Sequence, residues 1–253
     1  MNASLTSPVT TGENTRQWLR LLPRWSLATA LAYLGLIVLS VTVVAPAASG
    51  SLPQEFLELD VAGSAPGLYR LTIVFDVLAW LGIGGLLLAW GAVLRHRTPL
   101  RASLISATGA AALIGFFGAC LRLSATPALA DRYLSAAVGE RGALLEAYRE
   151  LLNLINVTFS AGGLVANAGL LLVGIVTWRG VLPRWVGLLI GLGAVLGMVK
   201  AMLFLVTGVD LGLVALLGAV LLTTGFAGIA GSLWRADGQA VSAFITGSAP
   251  MPV

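Results

Sequence analysis

One lysine stands in the whole chain, Lys200, and it lies inside a long apolar run. A charge in that setting is costly and needs a partner or water. Asp76 lies in a second such run, Asn153 and Asn156 in a third, and Arg122 near the end of a fourth. These residue types allow a short list of chemistries. An ammonium with a carboxylate counter-ion can hold an anionic or hydrogen-bonding ligand, and amides one helical turn apart can line the same face. A neutral lysine could act as a base or form a Schiff base. Retinal attachment is excluded, because six spans with a lysine outside the last do not fit a rhodopsin. Intramembrane acid proteolysis needs two carboxylates, and Asp76 is alone within the apolar core. With one histidine (His96, in a basic turn) and one cysteine (Cys120), there is no metal or haem ligand set, no CxxC and no internal disulfide. Cys120 reads as a small buried hydrophobe. Gly82, Gly84 and Gly85 sit inside an apolar run rather than between a strand and a helix, so they cradle no phosphate. The expectation is a protein that is not an enzyme and carries no cofactor.

The elements that must position these residues are membrane helices. Of 253 residues, 58% are hydrophobic and 10% charged, against about a quarter charged in soluble domains. Twenty-residue apolar stretches cross a bilayer, and six occur: Trp25 to Val44, Leu68 to Leu94, Ala102 to Leu123, Leu151 to Trp178, Gly180 to Thr207 and Leu211 to Trp234. Arg16, Arg20 and Arg24 followed by Ala45-Pro46-Ala47-Ala48 resemble a signal peptide with its cleavage site. The run from Ser26 to Val44 is nearer a full span, however, and is read as retained. Residues Met1 to Asn14 read as a loose tail, Arg16 to Trp25 as a short interfacial helix, and Ala45 to Gly67 as an acidic loop. A short amphipathic helix is expected over Ala128 to Val138, in the mixed-charge connection.

Basic residues gather in the loops of one side: Arg16, Arg20, Arg24, Arg95, Arg97, Arg101, Arg179, Arg184 and Arg235. The positive-inside rule then places both termini in the cytoplasm of a multi-pass inner-membrane protein, and Trp25, Trp90, Trp178, Trp185 and Trp234 fall at the same interface. The net charge of +4 is thereby a topology signal, and no nucleic-acid partner is expected. The organisation is a cytoplasmic tail with an interfacial helix over 1–24, an all-α six-helix transmembrane domain over 25–234 and a second cytoplasmic tail over 235–253. Gly187, Gly191, Gly193 and Gly197 notch the fifth span for close packing, which marks it as the expected centre of the bundle. Leu22-Pro23-Arg24-Trp25 recurs as Leu182-Pro183-Arg184-Trp185, and reads as a shared anchoring device rather than a duplication.

Counting from the loops at 1.5 Å per residue puts Lys200 roughly 25 Å beyond Pro183 and Asp76 roughly 12 Å from Leu68. The two charges are then at similar depth in the outer half, near Asn153 and Asn156. Arg70, Arg122 and Asp210 fall at the outer rim. Three roles are open to Lys200: a structural pair with Asp76, one wall of an outward-opening binding cavity, or a side chain that snorkels to the headgroups. Asn167 reads as a satisfied packing amide.

The arrangement of the second to sixth spans has an amphipathic outer connection, a glycine-rich span and the turn Trp178-Arg179-Gly180-Val181-Leu182-Pro183-Arg184-Trp185 with Gly187 and Gly191. In this the chain resembles the bacterial membrane family catalogued as domain of unknown function forty-three eighty-six, over about two thirds of its length. The resemblance implies the topology and brings no activity and no site residues. The expected function is to bind or move a small or amphiphilic molecule through an outward-opening polar cavity, with Lys200, Asp76, Asn153, Asn156 and Arg122 as ligand-binding residues. The alternative is an accessory or assembly subunit that meets another membrane protein and has no ligand of its own. The bilayer is a partner in either case.

Overall fold

The computed structural model describes residues 9–44, 52, 56–95, 97–178, 182–209 and 211–235. Expectations placed on the first eight residues, the Ala45–Ala48 cleavage-site pattern, His96, Arg179, Asp210 and the tail beyond Arg235 lie outside them. The described residues are all helical apart from short turns. Helix α1 runs Val9–Leu39 and ends in a π-turn, Ser40–Val44; the others are α2 Leu57–Ser64, α3 Pro66–Leu94, α4 Pro99–Ala111, α5 Leu113–Ser135, α6 Arg141–Trp178, α7 Arg184–Thr207 and α8 Gly212–Arg235. Helices α4 and α5 make one span interrupted at Ala112, whose N–H still donates to Thr108 O at 3.0 Å. Six spans are therefore long and apolar enough to cross a membrane.

Several boundaries differ from the sequence reading, each for a physical reason. The separate interfacial helix before Trp25 is continuous with α1, which passes through Pro23. Ser26 and Thr29 donate to the carbonyls of Leu22 and Trp25 just beyond that proline, a local bonding pattern that membrane helices use around such residues. The loop after the first span contains α2. The amphipathic stretch near Ala128 is the last part of α5, which runs on through Pro127, and α6 begins ten residues before Leu151.

The spans run up and down around a closed ring, and small residues set the contacts between successive spans. Trp25 of α1 lies on Gly85 of α3, Gly91 of α3 faces Ser106 of α4, Gly115 of α5 faces Gly162 of α6, Gly174 of α6 faces Gly187 of α7, and Gly193 of α7 faces Leu222 of α8. Helix α8 returns to α1 and closes the ring. Lipid offers no hydrophobic drive between helices, so such backbone approach supplies the attraction through dispersion. The most buried span is α3, half of whose most apolar stretch is buried, and not the fifth span α7, where the share is 22%. Helix α7 packs between α6 and α8 at the periphery, so its glycines serve two neighbours only.

The repeated Leu-Pro-Arg-Trp turn has a common use and an unlike setting. Trp25 covers Gly85 as Trp185 covers Gly228. Pro23, though, is inside α1 whereas Pro183 caps α7. A shared packing device explains this better than a duplicated unit.

Along α3 the buried stripe reads Tyr69, Ile73, Asp76, Ala79, Ile83, Leu87, Trp90, a three-four spacing that keeps one face inward. The stripe passes through two apolar cores. One contains Leu86, Leu87, Trp90, Ile105, Leu170, Ile190 and Phe226. The other, at the α2 end, contains Phe56, Leu59, Val61, Tyr69, Ile73, Ala130 and Tyr148. Asp76 stands between them.

Candidate functional site

Helix α2 brings an acid to this junction. Pro66 has no N–H to continue α2 and instead opens α3 at its first turn. Only Ala65 separates the two helices; its N–H donates to Val61 O and its carbonyl accepts from Tyr69 N. Leu59, Val61 and Ala62 bury the inner face of α2, and Gly63 sits near Leu134 of α5. That seating turns Glu58 onto Arg122.

Arg122 projects from α5 into the cluster. Its Nε donates to Glu58 Oε2 at 2.7 Å and its Nη2 donates to Glu58 Oε1, a two-pronged grip on one carboxylate. Nη1 reaches Asp76 Oδ2 at 3.5 Å. Tyr69 donates its hydroxyl to Glu58 Oε2 at 3.4 Å. The planar guanidinium is the side chain suited to such a fork, since its donors fit both oxygens of a carboxylate or phosphate. The three side chains retain only 20%, 24% and 11% of their exposure for Arg122, Glu58 and Asp76 respectively. Desolvation is then a real cost, and the contacts among them are what offset it.

Two hydroxyls complete the wall. Tyr148 Oη is buried and has no hydrogen-bond partner among the described residues; Thr126 Oγ1, also buried, has the Tyr69 hydroxyl as its neighbour. Tyr148 lies within electrostatic reach of Glu58, Tyr69 and Arg122. Phe56 packs against the Tyr148 ring at 6.2 Å, and the Arg149 guanidinium sits over Phe56 at 5.5 Å. On the other flank of Asp76, Tyr33 of α1 and Lys200 of α7 come within its electrostatic reach. Below the cluster, Trp80 and Phe159 stack at 5.9 Å, almost parallel.

Of the residues expected from sequence, the structure brings Arg122, Asp76 and Lys200 into one region, with the roles exchanged. The ion pair of Asp76 is with Arg122, a rim residue by residue counting, while Lys200 acts on it through space. The reason is the packing order: α3 lies against α5, and α7 lies beyond α6. Asn153 is exposed, across α6 from buried Tyr148 and Ile155, and Asn156 is half-buried. Neither amide is hydrogen-bonded to the cluster. Asn167 is a packing amide as expected: its Nδ2 donates to Gly163 O at 2.7 Å and its side chain rests on Gly197. Cys120 is half-buried and unpaired in any disulfide. Among the described residues no group of acids, histidines and cysteines could hold a metal ion.

Glu58, Tyr69, Tyr148 and Thr126 were missed. The pattern Leu57-Glu58-Leu59 ahead of a proline, and the seven-residue steps Tyr148, Ile155, Gly162 on the buried face of α6, were the available signals.

A buried hydroxyl without a partner carries its full desolvation cost, about 1–3 kcal/mol. Tyr148→Phe is therefore expected to leave thermal stability unchanged or raise it. A clear loss of stability in that variant would show that the hydroxyl has a structural partner and would remove it from the site.

The chain matches no family model, no curated protein and no solved structure.

Proposed function

We propose that the protein binds, and in doing so helps to move, a small or amphiphilic molecule at the cluster formed by Arg122, Glu58, Asp76, Tyr69, Tyr148 and Thr126. With both termini in the cytoplasm of the inner membrane, as the basic loops favour, the cluster lies on the outer side, covered by α2. The observation that carries the reading is the partnerless buried hydroxyl of Tyr148 beside a charged triad. A purely structural pair would be expected to bury as few unsatisfied groups as it can, whereas a binding wall leaves donors and acceptors to be matched by what it binds. The resemblance drawn from the Pro-Arg-Trp turn brings no activity, so the proposal rests on the cluster alone.

The test is a thermal-shift panel on the purified protein in maltoside micelles with anionic, zwitterionic and cationic single-chain amphiphiles and their short water-soluble analogues. At least one class is expected to stabilise the wild type, with the gain lost in Asp76→Asn and in Arg122→Lys, which keeps the charge but not the fork. If no class shifts the wild type, or the shifts persist in both variants, the reading fails.

A further inference from the structure

What Arg122 holds indicates what it is built to hold. Its Nε and Nη2 engage both oxygens of Glu58, the geometry by which a guanidinium takes up a carboxylate or phosphate ligand. Glu58 does not come from a spanning helix. It sits on α2, an eight-residue helix separated from α3 by the single non-helical residue Ala65.

We propose that Glu58 stands in for an oxyanion ligand, a carboxylate or phosphate group, which takes its place on Arg122. The inference rests on the ligand-binding reading above and names the chemical class.

Three features of the cluster agree with it. The donors around the Glu58 carboxylate outnumber what it uses: Arg122 supplies five N–H bonds in all, and Tyr69, Tyr148 and Thr126 add three hydroxyls. A phosphate, with more acceptor oxygens than a carboxylate, could engage the Tyr148 hydroxyl that Glu58 leaves without a partner.

The charges agree as well. Glu58 and Asp76 against Arg122 and nearby Lys200 sum to zero. Without Glu58 the remaining three sum to +1, so an incoming anion restores neutrality in a poorly solvated place. A cation would meet Arg122 already on both carboxylates, and a neutral molecule would leave the guanidinium short of a counter-charge.

Position is the third feature. The cluster lies at the α2 end of the spans, between the two apolar cores. At that end of the spans the ligand could be an anion from water or the headgroup of an anionic amphiphile whose chain stays among the helices. The shared chemistry is the oxyanion, and the source is for experiment to separate.

The experiment titrates full-length protein in maltoside micelles, at fixed ionic strength, with inorganic phosphate, acetate, octyl phosphate and octanoate, and with octyltrimethylammonium as the cationic counterpart. Apparent affinities are read from thermal shifts. Glu58→Gln, which has lost the internal anion, is expected to bind at least one oxyanion tenfold or more tightly than the wild type. Glu58→Asp, shorter by one methylene and a weaker hold on Arg122, is expected to gain a few-fold and guards against a Glu58→Gln protein that does not fold. Arg122→Lys is expected to lose the gain when combined with either.

Binding of inorganic phosphate or acetate as tight as that of the octyl compounds marks a water-soluble anion, and a strong preference for the octyl compounds marks a lipid headgroup. Equal affinity of wild type and both Glu58 variants for every anion overturns the inference. If octyltrimethylammonium alone protects the wild type, the binding reading stands and the oxyanion class is wrong.

Discussion

Arg122→Gln lowers the stability of the protein by about 3 kcal/mol, the expected cost of removing one partner from a buried ion pair. The figure is taken at the lower end of the usual range because a fifth of the Arg122 side chain remains exposed. The cost arises from what is left behind. Glu58 loses two of its three donors and keeps only the 3.4 Å contact from Tyr69, and Asp76 loses its ion pair while still mostly buried. Adding Glu58→Gln and Asp76→Asn to Arg122→Gln should therefore recover most of the loss, since neutral amides need no counter-charge. The same logic ranks the couplings. Double-mutant cycles for groups in contact give about 0.5–3 kcal/mol, and here the order should be Arg122 with Glu58, then Arg122 with Asp76, then Lys200 with Asp76. Reversible unfolding of reconstituted protein by a denaturing detergent reads all of these. If Lys200→Met costs more than Arg122→Gln, the cluster is organised around the lysine and the arrangement described here is wrong.

That ranking also marks where the sequence was readable. Spans are legible because lipid imposes a single requirement, about twenty apolar residues, and each of the six meets it without regard to its neighbours. Which span touches which is not written in apolarity. Lys200 and Asp76 fall at matching depth when residues are counted from the loops, yet depth fixes height alone, and α7 is set beside α6 and α8 rather than against α3. Arg122 was read as a rim residue because the apolar window ends at Leu123. The helix itself continues to Ser135, past Pro127, and so carries Arg122 inward within a rod instead of releasing it into a loop. Glu58 carried only the faint signal of its two flanking leucines, for a different reason. Its partner is 64 residues away, and an acid in a Pro-, Gly- and Ser-rich connection gives no periodic signal. Glycine content correctly announced close packing and pointed to the wrong span as the most buried, because a notch reveals that a helix is approached and not how many helices approach it. The most buried helix is the one with a nearly continuous buried stripe, and that stripe could be read only once one knew that Asp76 belongs to it.

Gly162→Ala is the change expected to disturb the fold and the cluster together. A Cβ at Gly162 would stand 2.5 Å from Gly115 N and 2.9 Å from its Cα. Those are backbone atoms, so no rotamer change can relieve the clash. Helix α5 cannot easily retreat either, because on its other side the Trp80 indole of α3 lies against the same Gly115. Overpacking of this kind costs about 1–3 kcal/mol, and the upper part of the range applies where both flanks are held. Gly115 is seven residues before Arg122, two turns down the same side of α5, so a shift that separates α5 from α6 also moves the guanidinium relative to Asp76 on α3. The variant should thus lose stability and, if it binds a ligand through Arg122, lose affinity in parallel. Gly191→Ala supplies the contrast. Its nearest neighbour would be Leu171 Cδ1 at 3.9 Å, an ordinary contact, and its stability should stay within about 0.5 kcal/mol of the wild type. Equal stability of the two variants would mean that α5 and α6 are not held at the backbone separation seen here, and the placement of Arg122 would lose its support.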